Sequence, residues 1–100
     1  MENIVPQKTR VAIIMGGMSS EREVSLESGR NIFSKISRKR FDVVPVFMDS
    51  KGALWEIPIK LLMRNSTKDI EDDLAEEAVP VPYETLKCRI DVAFLGLHGK

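Results

Sequence analysis

Residues 11–29 read VAIIMGGMSSEREVSLESG, which is a short apolar run, a pair of glycines and then a polar segment. The run Val11–Met15 is typical of a strand buried on both faces of a parallel sheet. Ser20 and Glu23 stand at the spacing of an S-x-x-E capping box, in which each side chain accepts a backbone N–H at the start of a helix. The segment therefore predicts a strand, a Gly-Gly turn and a helix that begins at Glu21.

The helix and the segment after it complete a βαβ unit. The predicted inner face of the helix has small residues near its start and large ones toward its end: Ser25, Ser28, Gly29, Ile32, Phe33 and Ile36. After a basic break, FDVVPVFM (Phe41–Met48) predicts a second strand, and Pro45 places it at a sheet edge or over an irregularity. We expect one α/β domain with a small, doubly wound, mostly parallel sheet flanked by helices.

The second half of the chain has weaker patterns. A turn signal precedes Ala53–Ile57, which we expect to pair back as an inserted β-hairpin arm with Trp55 as a packing anchor. A short helix is predicted from Pro58. The acidic stretch from Lys68 to Glu77 is predicted to be a solvated helix or loop without chemistry. Residues 82–90 have no clear pattern and are left unassigned. The last segment, Asp91–Lys100, is predicted to be a buried strand that runs into a loop.

Composition excludes several classes of protein. Fifteen basic and fifteen acidic residues give a net charge of zero, which leaves no basic field for nucleic acid or an anionic membrane. No apolar run reaches the roughly 20 residues of a membrane-spanning helix, and the N-terminus lacks the apolar core of a signal peptide. The single cysteine, Cys88, cannot form an internal disulfide, and we expect it to be buried. We therefore expect a cytoplasmic protein.

Two loops follow the carboxyl ends of predicted parallel strands, at Gly16–Ser20 and at His98–Lys100. Ligands bind at that edge of open α/β sheets. The phosphate-binding patterns G-x-G-x-x-G and G-x-x-x-x-G-K-[ST] are both absent, since only Gly16 and Gly17 are present after the first strand. A phosphate-acceptor receiver domain is disfavoured as well, because acidic residues would have to follow that strand directly.

The residues alone leave the roles of the nearby charged side chains open. Glu21, at the predicted first helical position, either complements the helix dipole or accepts hydrogen bonds from a substrate ammonium. Glu23 is interpreted as structural, because it also completes the capping box. His98, in a His-Gly pair after a strand, fits a structural or a functional role. One histidine and one cysteine far apart do not form a metal site, so we expect no metal or cofactor ligands in this chain.

Both loop segments resemble a known family. VAIIMGGMSSEREVSLESG is similar to the N-terminal signature of D-alanine-D-alanine ligases, DVAFLGLHGK (Asp91–Lys100) to their second N-domain signature, and KGALWEI to the hairpin of longer members. The resemblance implies that residues 1–100 are an incomplete substrate-binding, pre-ATP-grasp domain, without the ATP-grasp domains that follow it in the family. No ligase activity is then expected from this chain alone.

The resemblance also implies a reaction and roles for three residues. In the family, ATP phosphorylates the carboxylate of one D-alanine, and the amine of a second attacks the acyl phosphate to form the dipeptide used in peptidoglycan. By this likeness, Glu21 binds the ammonium of the first D-alanine, Val24 lies beside its methyl group, and His98 is the catalytic residue near its reacting carboxyl. ATP and Mg²⁺ are implied to bind to the absent domains, and the implied partners are D-alanine, the remainder of the chain and a second copy in a homodimer.

A noncatalytic α/β module, which binds a small molecule or mediates dimerisation, is the alternative from a different class. The two interpretations differ in whether the natural gene continues into an ATP-grasp region. The sequence also leaves open whether the second substrate is D-alanine, D-lactate or D-serine.

Overall fold

A mixed five-stranded sheet with helices on both faces forms the framework of the chain. The computed structural model describes residues 8–95. Its elements, in chain order, are β1 (Thr9–Gly16), α1 (Arg22–Lys35), β2 (Phe41–Met48), β3 (Leu54–Glu56), α2 (Ile59–Leu62), α3 (Thr67–Glu77), β4 (Val79–Pro80), α4 (Tyr83–Arg89) and β5 (Val92–Leu95). The predicted α/β class and the βαβ unit at its start are confirmed.

Strand β1 lies inside the sheet, between β2 and β5, and is parallel to both. The strand order is β4-β3-β2-β1-β5, and the β2–β3 and β3–β4 pairs are antiparallel. Because successive side chains of a strand point to opposite faces, β1 contributes to both layers, and every residue from Val11 to Gly16 is buried. The prediction of a first strand covered on both faces is confirmed.

Each face of the sheet has its own hydrophobic core. Helices α1, α2 and α3 cover one of them, whose buried members are Val11, Ile13, Met15, Leu26, Phe47, Ile57, Leu61, Leu62, Ile70 and Leu74. Helix α4 covers a smaller core on the opposite face, made of Ala12, Ile14, Val46, Val81 and Leu86. The arrangement is doubly wound, with most of the apolar burial on the face that α1 covers.

Gly29 allows α1 to lie close against β1. A Cβ atom at this position would stand 2.7 Å from Met15 Cβ and 2.8 Å from its Sδ. Ser25, one turn earlier, is also buried, whereas Phe33 toward the end of the helix packs at the margin of the core. The predicted inner face is confirmed in part, because Leu26, which the prediction omits, is a large residue buried near the start of the helix.

The hairpin arm and the short helix after it are also present, but β2 is not an edge strand. β3 pairs antiparallel with β2, and α2 begins directly after Pro58. The Pro45 carbonyl accepts a hydrogen bond from the Ile57 N–H (3.2 Å), just beyond the β2–β3 ladder, which begins at Val46. A proline is tolerated there because its missing N–H falls at the end of a ladder and not within it.

Two segments near the end of the chain differ from the prediction. The acidic stretch forms α3, which is packed rather than solvated on all sides, because Thr67, Ile70 and Leu74 are buried. The unassigned residues form α4, which contacts the core through Leu86. Cys88 lies on the exposed side of α4, so the expectation of a buried thiol is wrong.

Strand β5 is exposed, contrary to the prediction of a buried strand. Val92, Phe94 and Leu95 are 45%, 44% and 51% exposed, because β1 is the only strand that pairs with β5 within residues 8–95. Asp91 fixes its start: the Asp91 N–H donates to the Arg10 carbonyl (2.8 Å), and the Arg10 N–H donates to the Asp91 carboxylate (2.8 Å). The backbone and then the side-chain hydrogen bonds from Arg10 lower the pKa of Asp91.

Candidate functional site

The turn after β1 requires glycine and is held on two sides. Gly16 and Gly17 have φ angles of 94° and 114°, a region that other residues rarely adopt. A Cβ on Gly16 would lie 2.6 Å from the Met48 carbonyl oxygen and 2.8 Å from the Phe47 ring. The Gly17 N–H donates to that carbonyl (2.9 Å), and the Gly16 N–H donates to Ser25 Oγ (3.0 Å). The turn is therefore fixed against both β2 and α1.

Glu21 lies where this turn enters α1, with its side chain exposed. It is the N-cap residue, so the helix begins one residue later than predicted. Its N–H donates to Ser19 Oγ (3.0 Å), but within residues 8–95 its carboxylate takes part in no hydrogen bond or salt bridge. Val24, three residues further, is 49% exposed. Positions three apart share one face of a helix, so one small ligand can contact both side chains.

The predicted capping box is wrong, because its glutamate binds to a different helix. The start of α1 has no side-chain cap, so Ser20 does not act as one. The Glu23 carboxylate instead accepts hydrogen bonds from the Thr67 N–H (3.2 Å to each oxygen) and from Thr67 Oγ1 (2.5 Å). Thr67 is the first residue of α3, so Glu23 satisfies the start of that helix. Its role is structural, as expected, but it acts at α3.

Arg22 and Glu71 form a partly buried ion pair that the sequence does not reveal. Arg22 Nη2 lies 2.6 Å from Glu71 Oε2, and each side chain is 22% exposed. Arg22 Nε also donates to the Gly17 carbonyl (3.1 Å), so Arg22 supports the turn. Because 49 positions separate the two charges, no local spacing indicates that they meet.

A second ordered turn, residues 49–53, follows β2 beside the Gly-Gly turn. Asp49 organises it: the carboxylate accepts the Lys51 and Ala53 N–H groups (2.9 Å each) and Trp55 Nε1 (3.0 Å). Partial burial raises the pKa of Asp49, but the hydrogen bonds from Trp55, Ala53 and Lys51 outweigh it, so the pKa lies below its ordinary value. The turn is therefore ordered around a carboxylate that stays ionised at neutral pH.

The two strands that precede the predicted loops run in the same direction, side by side in the sheet. β1 and β5 are adjacent and parallel, with Ile14 opposite Leu95, so the chain leaves both strands in the same direction. The expectation of parallel strands is confirmed. His98 lies outside the described residues, and its place near Glu21 stays a prediction.

Two kinds of feature are missing from the described part of the chain. Among residues 8–95, no three His, Cys, Asp or Glu side chains come together in a group that could hold a metal ion. No helix in the same range is both long and apolar enough to cross a membrane.

Comparison with known proteins identifies the family. The family model described as the D-ala D-ala ligase N-terminus matches residues 10–100. The chain belongs to this family. A D-alanine-D-alanine ligase of Chlorobium limicola is 32% identical over 107 residues, an alignment that covers 92% of this chain and 30% of that protein. The chain thus spans about 30% of the length of the curated relatives it matches.

Solved structures of ligases share the fold. The VanG D-Ala:D-Ser ligase from Enterococcus faecalis aligns with a TM-score of 0.56 and 28% identity, over 76% of this chain and 22% of that one. The D-alanine-D-alanine ligase from Coxiella burnetii aligns with a TM-score of 0.62 and 22% identity, over 77% and 22% of the two chains. The second likeness concerns the fold alone.

Proposed function

We propose that this chain is the D-alanine-binding, N-terminal domain of an ATP-dependent D-alanine-D-alanine ligase, which makes the dipeptide for peptidoglycan through an acyl phosphate. The observation that best supports this proposal is that the two carboxylates at the start of α1 have different surroundings. Glu23 is bound at α3, whereas Glu21 is exposed beside the Gly-Gly turn with no partner in residues 8–95. A carboxylate in that position suits the ammonium of an amino acid.

The chemistry of the helix start fits a zwitterionic substrate. The Glu21 carboxylate would accept a charge-assisted hydrogen bond from the ammonium, and Val24 on the same face would contact the methyl group. The backbone N–H groups of the first turn and the positive end of the helix dipole favour negative charge nearby, as on a reacting carboxyl group. His98 is proposed to act at that carboxyl on the sequence likeness alone.

ATP and Mg²⁺ are proposed to bind outside this chain. Residues 8–95 bring together no acidic cluster that would hold a metal ion, and the turn after β1 lacks a known phosphate-binding pattern. We assign both to the part of the complete enzyme that corresponds to the remaining length of the relatives, where ATP would supply the phosphoryl group. A cytoplasmic homodimer is part of the same proposal.

The test is the activity of the complete gene product. With ATP and Mg²⁺, we expect ADP release that depends on D-alanine and yields D-alanyl-D-alanine, while L-alanine serves as the control. Residues 1–100 alone should release no ADP. If the complete product binds D-alanine without forming ADP, the proposal fails and the noncatalytic binding module replaces it.

A further inference from the structure

Glu71 joins three parts of the molecule through one carboxylate oxygen. Its Oε2 accepts from Arg22 Nη2 at the start of α1 (2.6 Å) and from the Ser50 N–H in the turn after β2 (2.5 Å). Glu71 itself lies in the middle of α3. The side chains of the ion pair are mostly shielded from water, so the attraction is screened less than in an exposed pair.

Arg22 extends this connection to the Gly-Gly turn. Its Nε donates to the Gly17 carbonyl while its Nη2 donates to Glu71, so a single planar guanidinium holds both acceptors. Two adjacent glycines with positive φ have wide conformational freedom, and a hydrogen bond to the carbonyl of the second one restricts it. Glu71 thus keeps Arg22 in the orientation that restrains the turn.

The same contact fixes the residue that precedes Arg22. Glu21 is the N-cap of α1 and Arg22 is its first helical residue, so the anchored guanidinium sets the rotation and position of the first turn. The Glu21 carboxylate has no hydrogen bond or salt bridge of its own in residues 8–95 to hold it in place. Its position relative to a substrate depends on this backbone.

We propose that Glu71 is a positioning residue of the amino-acid site: through Arg22, it fixes the Gly16–Gly17 turn and the start of α1, and so the place of Glu21. This inference rests on the proposed function. It assigns a role to the acidic segment, which on the sequence alone has no chemistry.

The first measurement is kinetic and uses the complete gene product. Glu71→Ala should raise KM for the first D-alanine on the order of tenfold and leave KM for ATP unchanged, because a displaced binding group weakens one substrate only. Glu76→Ala is the matched control, since Glu76 is an exposed acidic residue of the same helix. Glu71→Gln keeps one acceptor oxygen and should recover part of the loss.

Arg22→Lys gives a second, independent variant. Lysine keeps the charge, but its single ammonium cannot reproduce the two donors of the guanidinium fork, so the change in KM should resemble that of Glu71→Ala. Because both residues act through one contact, the double variant should lose little more than either single variant. Additive losses would mean that the two side chains act separately.

A measurement without turnover separates this inference from the proposed function. Hydrogen exchange of amides in residues 16–25 and 48–53 of the complete product should accelerate in Glu71→Ala and remain unchanged in Glu76→Ala. An active parent whose Glu71→Ala variant keeps its KM for D-alanine and its exchange pattern overturns this inference alone. If the unsubstituted protein forms no ADP, the proposed function fails, and with it the role of Glu71 at a D-alanine site. The exchange rates then still decide whether Glu71 restrains the turn.

Discussion

The starts of α1 and α3 are satisfied in different ways. At α3, Ser66 Oγ accepts the Asp69 N–H (3.2 Å), and the Glu23 carboxylate accepts both the N–H and the hydroxyl of Thr67. At α1 there is no side-chain cap, and the N-cap residue Glu21 is exposed. Side chains of the protein therefore close the start of α3. At the start of α1 the Arg22 N–H donates to the Ser19 carbonyl (3.2 Å), and the Glu21 carboxylate stays available to a ligand.

Helical geometry explains why two glutamates in one turn have different roles. With about 3.6 residues per turn, positions two apart lie about 200° apart around the helix axis. Glu23 therefore faces α3, whereas Glu21 at the N-cap is directed elsewhere, toward solvent. Closeness in sequence therefore does not make these carboxylates equivalent, and substitutions at each helix start can test the difference.

The largest effect on stability is expected from Gly16→Ala, which disrupts the turn that leads into α1. The new Cβ would meet the Met48 carbonyl oxygen at 2.6 Å and force an alanine to adopt a φ of 94°. The free energy of unfolding should fall by more than about 3 kcal/mol, as measured by urea denaturation. Gly52→Ala is the control: its φ is also positive, but its Cβ would meet only the flexible Met18 side chain, so a smaller loss is expected.

A smaller loss is expected from Thr67→Val, which removes the hydroxyl that donates to Glu23 at the start of α3. Thr67 is 1% exposed, so its hydroxyl is shielded from water and the bond to a charged acceptor contributes to stability. The free energy of unfolding should fall by about 1 to 3 kcal/mol, measured by the same denaturation. Thr85→Val on the exposed side of α4 should have almost no effect. Equal stability of the Thr67→Val variant and the parent would mean that Glu23 is not held at α3.

The smallest effects distinguish the two helix starts directly. Ser66→Ala removes an observed cap and should cost about 1 kcal/mol of stability, whereas Ser20→Ala removes no cap and should stay within about 0.5 kcal/mol of the parent. Thermal unfolding of the two variants side by side makes this comparison. Equal losses of stability would contradict this difference and support the capping box that the sequence predicts for α1.

The sequence predicted those features that depend on local pattern. The apolar run of β1, the glycines after it and the small Gly29 each carry their own signal, because burial, positive φ and close packing each restrict the residue type. The capping box failed because a partner 44 positions away competes for Glu23. The role of Glu71 was invisible for the same reason: it depends on how α3 packs against α1. No local signal distinguishes an exposed edge strand such as β5 from a buried one.

The central claim is that Glu21 serves the substrate and Glu23 serves the fold, and one paired measurement tests it. In the complete gene product, Glu21→Gln should lower kcat/KM for the first D-alanine by about ten- to a hundredfold, because a charge-assisted bond to the ammonium is lost. Its melting temperature and KM for ATP should stay close to those of the parent. Glu23→Gln should lower the melting temperature and leave the kinetics nearly intact. Equal kinetic losses in both variants, or none in Glu21→Gln, would contradict the assignment.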